Sequence, residues 1–110
     1  MAAWRFIVSE GEDGNSVDEF LELAAERQDV DTLRRLSEDG NGTATDLLIE
    51  VATELGDMIE LRRLADTGNA TAADQLIELA SERGDLAELR RLASRGNATA
   101  AVVLQEMIAE

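Results

Sequence analysis

The tetrapeptide Leu-Arg-Arg-Leu begins at Leu33, at Leu61 and again at Leu89, a step of 28 residues held without slip. Gly-Asn keeps the same step at Gly40, Gly68 and Gly96, as do Asp29, Asp57 and Asp85, and Glu22, Glu50, Glu78 and Glu106. A fixed period of roughly 20–50 residues is the mark of an array whose units cannot bury their apolar faces alone and must stack. That one feature narrows the possible folds more than any other property of the chain.

Each period divides into two helical segments. The first runs from about Thr71 to Arg83, with Ala72, Leu76, Leu79 and Ala80 falling on one helical face. Gly84 then offers a left-handed turn, and Asp85 opens a second, shorter helix with Leu86, Leu89 and Leu92 on one side. Glu88 follows Asp85 by three residues, as Glu60 follows Asp57, and the spacing predicts a reciprocal capping box. Gly96 ends the second helix, and either Asn69 or Thr71 is placed to start the next first-type helix. The absence of proline suits a helical chain, because proline disrupts helix interiors. Apolar residues make up 45% of the sequence, but the only aromatics are Trp4, Phe6 and Phe20, so the core falls to Leu, Ile, Val and Ala.

The expected fold is all-α: a right-handed α-solenoid of antiparallel helical hairpins, about seven short helices preceded by a cap segment. The 110 residues read as one domain, with an N-terminal cap over 1–15, repeats over about 16–42, 43–70 and 71–98, and a C-terminal capping helix over 99–110. Trp4, Phe6, Ile7 and Val8 are assigned to the cap over the first hairpin. At the other end, Gln105 stands where the copies have Ile49 and Ile77, while Val102 replaces Asp46 and Asp74. That leaves an expected apolar strip of Val102, Val103 and Ile108.

The linking phrase Ala65 to Leu76, "ADTGNATAADQL", recurs from Ala93 to Leu104. It resembles the Ala-x-x-Gly-Asn-x-x-Ala-x-x-x-Leu joint of Sel1-like repeats, a branch of the tetratricopeptide-type α-solenoids. The unit is shorter than theirs and lacks the Trp, Tyr and Pro signposts of the tetratricopeptide pattern, so HEAT-type pairs are a comparable match. The resemblance implies a superhelix of hairpins acting as an adaptor or scaffold that grips peptides on one face. It carries over no catalytic residues.

Two charge patterns repeat. Asp18, Glu22 and Glu26 share one side of the first helix, and Asp46, Glu50, Glu54 and Asp74, Glu78, Glu82 repeat that stripe, which Glu106 and Glu110 extend. If first-type helices lie side by side about 10 Å apart, all share a surface. Like charges at this spacing oppose helix formation by a few tenths of a kcal/mol per pair, so folding alone does not select them. The functional reading is a surface for an Arg- or Lys-rich segment; against it stand a merely solubilising face and pairing with arginines. Those arginines form the second pattern, Arg34, Arg35, Arg62, Arg63, Arg90 and Arg91. Glu60 with Arg63 and Glu88 with Arg91 are helical neighbours, and the remaining arginine is expected to reach a Glu of the adjacent first helix.

Other chemistries find little support. The formal charge of −14 repels nucleic-acid phosphates and anionic lipid, and no cysteine, histidine, lysine or tyrosine occurs. A Ser or Thr nucleophile would lack a His or Lys base, and carboxylates on open helix faces lack a cause for raised pKa values. No catalytic residue, cofactor or metal site is expected. The stretch Asp39 to Glu50 imitates an EF-hand loop at its first, third and twelfth places, but Ala44 stands where that loop needs Gly. The sequons at Asn41, Asn69 and Asn97 fall at one turn and read as caps. No apolar stretch approaches a membrane span and the first eight residues are too short for a secretory core, so the expectation is a soluble cytoplasmic protein. Arginine-rich, lysine-free composition fits a GC-rich bacterial source.

Two functions follow as expectations. One is a non-enzymatic interaction module whose nine stripe carboxylates bind a basic protein or peptide. The other is a structural array that self-associates through Val102, Val103 and Ile108, as a homodimer or end to end. An engineered array with no dedicated ligand would look similar, but Gln28, where Gly56 and Gly84 stand, favours natural drift.

Overall fold

The structure, a computed structural model, describes residues 13–109. The assigned cap residues Trp4, Phe6, Ile7 and Val8, and the terminal Glu110, lie outside the described residues. Among the described residues the chain is all-α: seven helices and no strand. They are α1 (Asp13–Glu26), α2 (Val30–Glu38), α3 (Gly42–Leu55), α4 (Met58–Asp66), α5 (Ala70–Arg83), α6 (Leu86–Ser94) and α7 (Ala98–Ala109). First-type helices α3 and α5 have 14 residues, and second-type α2, α4 and α6 have nine. Nine residues are too few for a stable isolated helix, so packing must hold them.

Two kinds of joint connect the helices, and both use one residue twice. Between α5 and α6, Gly84 adopts φ +67°, and the Asp85 amide donates to the Ala80 carbonyl at 2.8 Å while that of Gly84 donates to Ser81. This closes α5 in a Schellman arrangement. The same Asp85 then accepts from the Glu88 amide at 3.1 Å, opening α6. Between α4 and α5 the left-handed residue is Gly68, and Asn69 both donates its amide to the Leu64 carbonyl and accepts from the Ala72 amide at 2.9 Å. Asn69 is therefore the cap and Thr71 is not. Asn41 and Asn97 bond Ala44 and Ala100 in the same way.

The chain divides into two compact units, one ending at Val51 and the other beginning at Ala52, within α3. In the first, α1 packs on α2, with Leu21, Leu33 and Leu48 fully buried and the Ser37 and Thr45 hydroxyls hydrogen-bonded to each other. Val17, Phe20 and Leu23 of α1 remain exposed. In the second unit α4 packs most extensively on α5 and α6 on α7, with α5 also touching α6 and α7. Leu61, Leu76 and Leu89 have no accessible surface, nor do Ala52, Ala72, Ala80 and Ala100, whose small side chains let the helices approach closely. Each fully buried leucine contributes about 2 kcal/mol through removal of apolar surface from water. The expected face of α5 is thus largely correct, with Ile77 added to it and Leu79 only half-buried.

Candidate interaction surface

Arg63 and Arg91 pair with Glu60 and Glu88 three residues away, as their spacing predicts, but Arg62 departs from the sequence expectation. Glu88, though charged, is only 4% exposed. One of its oxygens, Oε2, accepts from Arg91 Nε at 3.0 Å and from Arg91 Nη2 at 2.8 Å. The other, Oε1, lies 2.9 Å from Nη2 of Arg62, one repeat earlier. Arg62 therefore reaches a Glu of the next second-type helix, not of the adjacent first-type helix. Arg91 continues to Asp66 on α4 at 3.3 Å, and Arg95 Nε comes within 3.6 Å of the same carboxylate. Glu60 is as deeply buried as Glu88 and takes Arg63 Nε at 3.0 Å.

This network corrects the capping-box expectation as well. Asp57 and Asp85 do cap their helices, but their own amides donate to the Ala52 and Ala80 carbonyls. The Glu side chains are free to turn inward to the arginines, where a buried carboxylate needs charged donors. The hydrogen bond to Glu88 raises the Arg91 pKa, partly opposed by burial. Arg62 Nε is the one buried polar side-chain atom among the described residues with no acceptor.

The stripe residues lie elsewhere. Asp18, Glu22 and Glu26 on α1, Asp46, Glu50 and Glu54 on α3, and Asp74, Glu78 and Glu82 on α5 are all exposed, as is Glu106 on α7. None of the nine is hydrogen-bonded or ion-paired to another described side chain. Arg34, Arg62, Arg63, Arg91 and Arg95 pair with Asp31, Glu60, Asp66 and Glu88 instead. Arg83 is occupied too, donating to the Gly56 carbonyl at 3.0 Å.

In the second unit the stripe borders a groove. Asp74, Ile77, Glu78 and Ser81 of α5 face Thr99 and Val103 of α7 across about 430 Å³. Two carboxylates thus flank a partly apolar floor. A second groove, of about 330 Å³, is lined by Ala93 of α6 with Ala101, Leu104, Gln105 and Ile108 of α7. Val103 and Ile108 consequently belong to different grooves, and with Val102 they do not form the single apolar strip expected. Val102 and Ile108 are more than half exposed.

The EF-hand-like stretch is not a loop: from Gly42 onward it lies inside α3, and Asn41, its third place, caps that helix. No helix among the described residues is long and apolar enough to cross a membrane. Sequence reasoning missed the burial of Glu60 and Glu88. Thr32 occupies the same place in α2, where it hydrogen-bonds Asp29. No protein-family model, curated protein or solved structure matches the chain.

Proposed function

We propose that this chain is a non-enzymatic interaction module, an α-solenoid of the Sel1-like or tetratricopeptide-like kind, whose acidic first-type helices each present carboxylates to cationic segments of a protein partner. One observation carries the reading. The nine stripe carboxylates are exposed and unpaired within the described residues, while Arg34, Arg62, Arg63, Arg91 and Arg95 pair with other acids. The absence of internal partners among the described side chains supports an attraction directed outward. The α5/α7 groove adds shape, since Asp74 and Glu78 meet the guanidinium groups of an arginine-rich peptide while its methylenes rest on Ile77 and Val103.

Calorimetry with an arginine-rich peptide at low salt tests this. Binding should weaken steeply as salt rises, because the attraction is between solvated charges. Neutralising Asp74, Glu78 and Glu82 together with Asn and Gln should lower affinity by about tenfold or more, on the order of 1.4 kcal/mol. An affinity indifferent to salt and to these changes would remove the proposal. A second reading, self-association, draws on the exposure of Val102 and Ile108. A chain that sediments as a monomer at high concentration would exclude it.

A further inference from the structure

The α6/α7 groove repeats, one period later, a surface that is already filled within this unit. Ala93, Leu104 and Ile108 correspond by the 28-residue step to Ala65, Leu76 and Ala80. Leu76 and Ala80 have no accessible surface, and α6 packs against their helix. The polar element recurs as well. Arg90 corresponds to Arg62, the side chain that receives Glu88 from the incoming helix. Arg90 is exposed and finds no carboxylate among the described residues.

We infer that this face is the receiving half of a repeat joint and docks a partner helix of α6-like chemistry, in which a Glu for Arg90 immediately precedes the first of two leucines three residues apart. The filled joint supplies the rule: Glu88 meets Arg62 while Leu89 and Leu92 are buried. A helix without the Glu leaves Arg90 unpaired at the rim, and one without the leucines leaves Leu104 and Ile108 uncovered. A second copy of the chain is a poor occupant. Its own helices of this kind, α4 and α6, already have Leu61 and Leu89 fully buried and Glu60 and Glu88 engaged by arginines. The site is separate from the acidic stripe and does not depend on it.

The probe is a helix-stabilised peptide carrying the Asp85–Arg95 sequence, titrated into the intact chain with NMR detection. Shifts should concentrate at Ala93, Ala101, Leu104 and Ile108. Arg90→Glu should weaken binding at least tenfold, and a peptide with Arg in place of its Glu should recover most of that loss. Ile108→Asp, at an exposed position that leaves the fold intact, should also weaken binding, whereas neutralising Asp74 and Glu78 should not. Failure to bind at millimolar peptide, shifts confined to the α5/α7 groove, or an unchanged affinity with Arg90→Glu would each overturn the inference. So would dimerisation of the peptide-free chain that is abolished by Ile108→Asp, since it would assign the face to a second copy.

Discussion

Helices α2 and α6 carry the same Leu-Arg-Arg-Leu phrase after the same capping Asp, yet their electrostatic surroundings differ. In α6 the residue before the phrase is Glu88, buried and held by two arginines from successive repeats. In α2 it is Thr32, whose hydroxyl donates to Asp29 Oδ2 at 2.7 Å and whose amide donates to Oδ1 at 3.2 Å. Arg34, the counterpart of Arg62 and Arg90, lies 3.0 Å from Asp31, whose side chain is 84% exposed. One residue at one register position thus converts a local surface cap into a buried rung linking two repeats. Identity between copies guarantees the helix but not the role of its charges.

The largest expected consequence falls on the rung. Glu88→Ala should destabilise the second unit by about 2 kcal/mol, less than the 3–5 typical of fully buried pairs because Arg62 and Arg91 remain partly solvated. Thr32→Ala should cost less than about 1 kcal/mol, the worth of one exposed hydrogen bond. Equal shifts in the urea midpoint for the two variants would break the contrast.

A second pair sharpens it at the backbone. Gly56 and Gly84 have φ of +69° and +67°, and Gln28 takes the same place at φ +55°. A side chain at residue 56 would also strike the Arg83 guanidinium. Gly56→Ala should therefore lose about 1–2 kcal/mol, whereas Gln28→Gly should gain less than about 1, net of the added freedom of the unfolded chain. Thermal unfolding of both variants reads this directly. Next in size is Asn69→Ala, expected to cost about 1 kcal/mol through loss of the α5 cap.

The smallest effect is one of pH. Hydrogen bonds from the Thr32 side chain, then its backbone, lower the Asp29 pKa below its ordinary 3.8. A depressed folded-state value means the stabilisation is complete above the ordinary carboxylate range and is lost as pH falls through the lowered value. An NMR titration of Asp29 should show the depression, and Thr32→Ala should reduce it. An unchanged titration would detach the cap from the threonine.

Much of this fold was legible in the sequence because helix ends have local chemistry. Asp85, Gly84 and Asn69 announce their turns, and the buried faces of α5 and α6 follow the spacing of their leucines and alanines. The stripe carboxylates were legible as exposed, since nothing apolar lies among them on that face. The partners of Arg63 and Arg91 were legible as neighbours on one helix, but that of Arg62 was not, because helical spacing says nothing of an adjoining repeat. Glu88 looked like a capping partner for that reason. Val102, Val103 and Ile108 looked contiguous because they are close in sequence, although they fall on different sides of α7.

The dual duty of Asn69 and Asp85 has an evolutionary corollary. Each ends one helix and begins the next, so the connections have no slack in which a stray residue can be absorbed. A single insertion at such a joint would rotate the following helix by about 100° relative to its cap and carry its leucines off the seam. Lineages of this protein should therefore change length by gaining or losing whole periods, and individual turns should keep their size even where their letters drift.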